Sequence, residues 1–381
     1  MTFGIATSEQ IEICQSVRRL AQAEIQKYQN EPFFGTVPRG LLRAFATLGV
    51  TALNIEEQWG GLAASPTTIA LALEEIAASD CGVAIWLSVH NMVSGLVQRF
   101  GNQEQRQRYL PKLASGDFLA AFCLTEPSAG SDAKALKTEA RPEGANFILN
   151  GEKCYITSAG FADLYLVFAR TTKGTDRKGI SVFLVEADSP GLQISPPDKK
   201  MGAELSPIAS LAFVDCVVPK TQLVGEIDNG YRIALGGLAG GRINIAAIAN
   251  GVSRSAIELA TAHLKERAQF GKKLIEFQGL QFMLADMQMK FEAARLLTLR
   301  AAHLLEKDPS DKQNRLQPSI AKCFASDAAM SITTDAVQLL GGAGYIKHYR
   351  VEQLMRDAKM LQIVEGTNQI QRMVIARELA E

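Results

Sequence analysis

Phe147–Val185 reads FILNGEKCYITSAGFADLYLVFARTTKGTDRKGISVFLV. It holds three short runs of β-branched and aromatic residues: FIL at Phe147–Leu149, YLVF at Tyr165–Phe168 and ISVFLV at Ile180–Val185. Such residues suit a pleated, half-buried backbone. A fourth run, LAFV, follows at Leu211–Val214. Turn signals separate them: Asn150-Gly151, Lys173-Gly174, Ser189-Pro190-Gly191 and Ser206-Pro207. The spacing predicts an all-β insert of about a hundred residues, a small barrel or a folded sheet.

On both sides of this insert the hydrophobic period is helical. Upstream, Thr7 with Gln10 fits a capping box, and Ile11, Ile13, Val17 and Leu20 recur at helical spacing. Pro38–Leu48 and Pro66–Ala78 are helical patterns opened by proline, which suits a first turn. Asn102–Leu113 reads as a polar helix ended near Pro111. Between them Cys81–Val97 is apolar enough to be buried on most sides. His90 within it reads as a core or pocket-edge histidine rather than a metal ligand. Downstream the helical period returns near Gly230, with long patterns at Ile243–Lys265, Leu280–Glu306, Pro318–Leu340 and Val351–Ala358, and a last helix from Asn368. Long helices with short connections make an antiparallel bundle. The expected fold is mainly α with a β insert: a helical domain over 1–117, a barrel-like β domain over 118–225 and a helical bundle over 226–381.

Composition narrows the function. Forty basic and forty acidic residues cancel, so no basic field exists to hold a nucleic acid. The six cysteines are scattered in apolar contexts without a CxxC, and the four histidines lie far apart without an HExxH. They read as reduced core thiols, not a metal site or disulfide framework. The N-terminus lacks a charged region followed by an apolar one, and Glu9, Glu12 and Glu24 argue against a transit peptide. No stretch has eighteen uninterrupted apolar residues. A cytoplasmic protein with no membrane span is expected.

Several chemistries lack their motifs. No GxGxxG follows a strand, and Gly236–Gly241 has the wrong glycine spacing. Gly271-Lys272-Lys273 is no Walker A, and no GxSxG occurs. Three polar clusters remain. Thr125–Asp132, TEPSAGSD, is a hydroxyl- and glycine-rich loop able to offer amides to a planar ligand or phosphate, or else a plain capped loop. Arg267–Gly271, RAQFG, couples a cation, an amide and a ring, which suits a pyrophosphate and flat ring. It equally fits a helix C-terminus with Gly271 as its cap. Gln338–Tyr345, QLLGGAGY, allows close backbone approach, or is a helix-ending turn.

The chain is organised around Met360–Arg372, MLQIVEGTNQIQR. Apolar residues lead to one carboxylate, Glu365, whose proton affinity a dry flank would raise. That suits a general base near neutral pH. Thr367 or Asn368 would cap the last helix, and the helix N-terminus would pull Glu365 the other way. Alone, the segment more often signals a capping or solvated loop glutamate.

Taken together, CLTEPSAGSD (Cys123–Asp132), YITSAG (Tyr155–Gly160), RAQFGK (Arg267–Lys272), QLLGGAGY, MRDAK (Met355–Lys359) and IVEGTNQIQR (Ile363–Arg372) resemble the acyl-CoA dehydrogenase flavoproteins, over essentially the whole chain. The resemblance implies the same α, β, α layout, FAD, an acyl-CoA substrate, an electron-transfer flavoprotein as acceptor, and a homotetramer built as a dimer of dimers. It implies that Glu365 takes the α-proton while the flavin N5 accepts the β-hydride. It assigns Phe122, Leu124, Thr125, Gly130 and Ser131 to the flavin-contact loop, with Ser131 also reaching substrate. Tyr155, Ile156 and Thr157 match the segment against the isoalloxazine, where the family commonly has Trp in place of Tyr155. Arg267, Phe270 and Gln278 match residues at the FAD pyrophosphate and adenosine, as do Gln338, Gly341 and Gly342 of a partner subunit. Thr367 and Gln369 match the last FAD contacts, and Arg242 and Arg377 match positions near the CoA ester.

Some relatives carry the base on an earlier helix, where this chain has Gly241, so Glu365 is the only candidate. The segment GGRINIA resembles isobutyryl-CoA and short branched-chain members most closely, and Gly240 and Gly241 would open room near the acyl α-carbon. An oxygen-using oxidase or monooxygenase of the same fold, and a non-catalytic acyl-CoA-binding relative, remain alternatives.

Overall fold

Thr7 begins the first helix by reciprocal capping. Its hydroxyl accepts from Gln10 N at 3.2 Å, and its own N–H donates to Gln10 Oε1 at 2.9 Å. The computed structural model describes residues 6–28, 36–174, 178–308 and 312–380. Five helices form the N-terminal part: α1 (Ser8–Ile25), α2 (Arg39–Thr47), α3 (Pro66–Ser79), α4 (Cys81–Phe100) and α5 (Gln103–Ala114). Ser65 caps α3, Asp80 caps α4 and Asn102 caps α5, each accepting from an otherwise orphaned amide. α5 does not stop near Pro111 as the sequence suggests; it runs on to Ala114. Proline in a last turn removes one hydrogen bond, and Ser115 N still closes onto Pro111 O at 3.0 Å. α4 is long and apolar enough by composition to cross a bilayer, yet 83% of that window is buried within the protein, as in a core helix. His90 confirms the core reading. Its Nε2 meets Leu113 O and its Nδ1 accepts from Ala120 N, both at 3.1 Å.

Eight strands follow: β1 (Ala120–Cys123), β2 (Glu139–Glu143), β3 (Asn146–Thr157), β4 (Leu164–Arg170), β5 (Ile180–Glu186), β6 (Leu192–Ile194), β7 (Ile208–Pro219) and β8 (Leu223–Val224). They form one sheet in the order β6-β7-β3-β2-β4-β5-β8, with β1 parallel to β4. β4 explains the unalternating run YLVF. Leu164, Leu166 and Phe168 pack with α4 and α5 residues such as Val93, Val97 and Leu110. Tyr165, Val167 and Ala169 face the second core of the folded sheet with Phe147 and Phe183. A strand covered on both faces reads as continuously apolar.

The C-terminal part is α6 (Gly230–Glu266), a short hairpin of β9 (Ala268–Gln269) and β10 (Lys272–Lys273), then α7 (Gln278–Lys307), α8 (Lys312–Leu340), α9 (Val351–Leu361) and α10 (Asn368–Ala380). α6 starts well before Ile243 and carries Gly236, Gly237, Gly240 and Gly241 inside the helix. Each interior glycine costs roughly 0.5–1 kcal/mol of helix stability, and tertiary packing outweighs that here. A Cβ on Gly237 would meet Leu96 Cδ1 at 3.0 Å, and one on Gly251 would strike Glu74 O of α3. The helical layers are also cross-linked by buried charge. Glu75 pairs with Arg18 and Arg254 at 2.7 Å, and Glu74 with Arg295 at 2.9 Å, joining α1, α3, α6 and α7.

Candidate active site

α9 ends at Leu361 and α10 begins at Asn368, leaving a six-residue turn that carries Glu365. Thr367 starts α10: its hydroxyl accepts from Ile370 N at 3.3 Å and its carbonyl from Gln371 N at 2.9 Å. Glu365 has φ 55° and Gly366 φ 86°, both left-handed. For glutamate that conformation costs roughly 1–2 kcal/mol, so the surroundings must hold it. Gln371 Nε2 donates to the carbonyls of Glu365 at 3.1 Å and Gly366 at 2.9 Å. Lys322 Nζ, from α8, donates to Gly366 O at 2.9 Å.

The Glu365 carboxylate turns onto α6. A Cβ on Gly241 would sit 2.6 Å from Glu365 Oε2, so only glycine leaves the carboxylate its place. Oε2 is enclosed and has no protein hydrogen-bond partner. Burial pushes the carboxyl up to about 7, and the cations Arg242 and Lys322 oppose the rise. Desolvation thus wins over the charges near the helix start. Arg242 is fixed by Ser319 Oγ at 3.4 Å, and its Nε is enclosed without a partner. Burial lowers the proton affinity of Arg242, with Glu365 acting in the opposite sense.

Gly241, against which the Glu365 carboxylate rests, also lines a cavity of about 620 Å³ between α4 and the glycine-rich half of α6. Met92, Leu96, Gly237, Gly240, Gly241 and Asn244 contribute to its lining. A Cβ on Gly240 would meet nothing within 4 Å, so that position faces open space. The volume is in the range of small-ligand sites.

A second candidate surface lies on the sheet. Thr125 O accepts from Cys154 N at 3.0 Å, which brings the loop after β1 against the end of β3. The pairing of β3 with β7 shifts register between Lys153 and Ile156. Such a bulge re-aims side chains, and Tyr155, with φ 58°, is 68% exposed. Thr157 is half-buried, whereas the Ile156 side chain is in the sheet core, leaving only its backbone for a ligand. Phe122 is half-buried against the Phe168 ring at 4.9 Å, Leu124 and Thr125 are half-buried, and Gly130 and Ser131 are exposed. The loop is pinned from beneath by an ion pair. Lys153 Nζ meets Glu126 Oε1 at 2.7 Å and Leu124 O at 3.1 Å, while Glu126 also accepts from Lys137 N and Thr138 N at 2.6 and 3.0 Å.

Family models for the acyl-CoA dehydrogenase N-terminal, middle and C-terminal domains match residues 7–117, 121–216 and 228–380. The chain is 41% identical to an acyl-CoA dehydrogenase of Bacillus subtilis over 98% of each chain. It is 40% identical to the mitochondrial isobutyryl-CoA dehydrogenase of Dictyostelium discoideum, covering 93% of this chain and 84% of that protein. The structure of butyryl-CoA dehydrogenase from Megasphaera elsdenii superposes with TM-score 0.94 at 38% identity, over 100% of both chains. This chain belongs to the acyl-CoA dehydrogenase family.

An acyl-CoA dehydrogenase is an FAD-dependent oxidoreductase acting on CH–CH bonds, and the residues present fit that cofactor. Tyr155 offers an uncovered ring beside the Thr125 loop, and Phe270, at the tip of the β9–β10 hairpin, is 94% exposed. Arg267 and Gln278, flanking that hairpin, are also exposed. Gln338, Gly341 and Gly342 are exposed at the end of α8, and a Cβ on Gly130, Gly341 or Gly342 would meet nothing within 4 Å. Thr367 is engaged in capping α10, and Gln369 is exposed beside it. Among the described residues no hydrogen bond joins the Arg267–Gln278 and Gln338–Gly342 groups to the Thr125–Thr157 surface within one chain. Gly241, Arg242 and Glu365 do come together, whereas Arg377 is exposed near the far end of α10.

Sequence reasoning passed over Lys322, Gln371 and the Lys153–Glu126 pair. Lys322 carried a signal: it interrupts the apolar run Ile320–Phe324 with a charge that the fold encloses completely. Among the described residues no group of three His, Cys, Asp or Glu side chains forms a metal site, and all six cysteines are free thiols.

Proposed function

We propose that this chain dehydrogenates a short acyl-CoA, including 2-methyl-branched ones, to the 2-enoyl-CoA, with Glu365 removing the α-proton. The observation that carries this reading is the Glu365 carboxyl, raised to about 7, with its Oε2 enclosed and unpartnered against Gly241, a residue that lines an open cavity. A base poised near neutral pH can accept a proton and release it again in each turnover. The bound FAD supplies the hydride acceptor, at N5, for the substrate β-carbon.

An α C–H beside a thioester is weakly acidic, so the carbonyl oxygen needs donors as negative charge develops on it. The Glu365 N–H donates to no protein acceptor among the described residues and is free to meet that oxygen. The carboxylate takes the room that Gly241 leaves, and Gly240 beside it faces open space, which supports a short chain with a methyl branch. The relatives named for isobutyryl-CoA and butyryl-CoA lend the same support. Thr125, Ser131, Tyr155 and Thr157 would hold the flavin ring. Arg267, Phe270 and Gln278, with Gln338, Gly341 and Gly342 supplied by another copy, would hold the rest of the cofactor in a homotetramer. The exposure of those two groups favours that sharing. Electrons would leave to an electron-transfer flavoprotein.

Anaerobic flavin bleaching with butyryl-, isobutyryl-, 2-methylbutyryl- and isovaleryl-CoA tests the reading. Bleaching by at least one of them in wild type, and by none in Glu365→Gln with FAD retained, is expected. Unchanged bleaching in that variant would remove Glu365 from the role.

A further inference from the structure

Lys322 is a buried cation with no anion in direct contact. Its side chain is fully enclosed, yet among the described residues it makes no ion pair within 4 Å. Its Nζ instead donates to Gly366 O at 2.9 Å and Asn368 Oδ1 at 2.8 Å. Asn368 is held in turn, its Nδ2 donating to Asp327 Oδ1 at 2.7 Å and Ser326 Oγ at 2.9 Å. From the other side, Gln371 Nε2 reaches the carbonyls of both Glu365 and Gly366. The two left-handed residues of the turn are therefore gripped by one charged donor and one neutral donor.

A neutral donor is enough to hold a carbonyl, as Gln371 shows. Burying an ammonium instead carries a desolvation cost, visible in the drop of the Lys322 proton affinity to about 8. The charge stands next to the base. The charged groups that face Glu365 are Arg242 from α6 and Lys322 from α8; α10 contributes the uncharged Gln371. Lys322 itself is faced by Cys323, Glu365, Asp327 and Arg242.

We propose that Lys322 is the positioning residue of the proton transfer. Its ammonium locks the Glu365–Gly366 turn in the left-handed conformation and, with Arg242, forms the cationic flank of the carboxylate. This rests on Glu365 being the base. Freed from the clamp, the turn relaxes toward ordinary backbone angles and carries the carboxylate away from Gly241. Without the cation, the ionised carboxylate is less favoured. The pH at which the base becomes competent then moves up, because activity requires the deprotonated form.

The test is the pH dependence of flavin bleaching from pH 5.5 to 9.5, with the best acyl-CoA of the panel. It compares wild type, Lys322→Met, Lys322→Gln and Gln371→Leu, each checked for FAD content and melting temperature. Both Lys322 variants should bleach about tenfold or more slowly at neutral pH with KM within about twofold. Their acid limb should move up by about half a pH unit or more. Lys322→Gln, which keeps donors without charge, should recover part of the rate but none of the shift. Gln371→Leu should slow bleaching without moving the limb. If Lys322→Met does not fold, Lys322→Gln carries the comparison. A folded, FAD-replete Lys322→Gln with the wild-type rate and limb would overturn the proposal. So would a rate loss that merely tracks lost FAD with the limb unmoved. A wild type bleached by no acyl-CoA would instead overturn the base reading, and this proposal with it.

Discussion

Glu126, buried, and Glu365, half-buried with one enclosed oxygen, both stand beside a buried lysine, yet they are opposite electrostatic objects. Glu126 receives Lys153 Nζ at 2.7 Å and two backbone amides, and these hold it below the usual carboxylate range despite burial. Glu365 has an enclosed oxygen with no partner, and burial lifts it to about 7 although Arg242 and Lys322 are near. Nearness of a cation does not separate the two; direct hydrogen bonds to the carboxylate do. At Glu126 the lysine bonds the carboxylate. At Glu365 the lysine bonds the Gly366 carbonyl and the Asn368 side-chain oxygen instead, and the carboxylate Oε2 is left without a partner. The first arrangement fixes a loop, and the second suits the base proposed above.

The largest effect expected is the loss of the proposed base. Glu365→Gln should lower the bleaching rate by about a thousandfold or more while leaving FAD content unchanged. Breaking the other site should act on stability instead. Lys153→Met leaves Glu126 buried without its countercharge and should cost about 3–5 kcal/mol, read by denaturant unfolding. Lys153→Met combined with Glu126→Gln should return part of that loss, because no lone charge then remains. His90 extends the comparison to a buried group with both ring nitrogens paired and its proton affinity lowered to about 4. The folded state then binds fewer protons than the unfolded one below the ordinary 6.5. Stability should be intact above that pH and fall as pH drops toward 4, by ~3 kcal/mol in all, with a shallower acid slope in His90→Gln. The smallest effect belongs to Gly241→Ala. A methyl 2.6 Å from Glu365 Oε2 should displace the carboxylate and slow bleaching by about tenfold, with little change in unfolding.

The layout of this chain was open to sequence reasoning wherever local chemistry and tertiary structure agree. Thr7 with Gln10 forms the capping box it spells, and YLVF is a strand covered on both faces. Glu365 was singled out by its apolar flank and by resemblance, and the cavity lies where the glycines of α6 implied space. The helical period returns near Gly230, where α6 begins, but the long pattern was read only from Ile243 because the glycines between are poor helix formers that packing overrides. Lys322 and Gln371 were hidden for a different reason. Lys322 reaches Gly366 across 44 positions of sequence, and the left-handed turn it grips has no residue-type signature at a glutamate. The Glu126–Lys153 pair spans 27 positions and joins the Thr125–Asp132 loop to a segment that sequence reasoning did not connect with it.

The most direct test of the account is the titration of the Glu365 carboxyl itself in the FAD-loaded protein. Infrared difference spectra of wild type against Glu365→Gln, taken across pH, isolate its protonated carbonyl stretch. That band should disappear through a midpoint near pH 7, in step with the rise of the anaerobic bleaching rate. A midpoint near 4.5, the ordinary glutamate value, would contradict the account, as would a bleaching rate that rises with pH independently of that band.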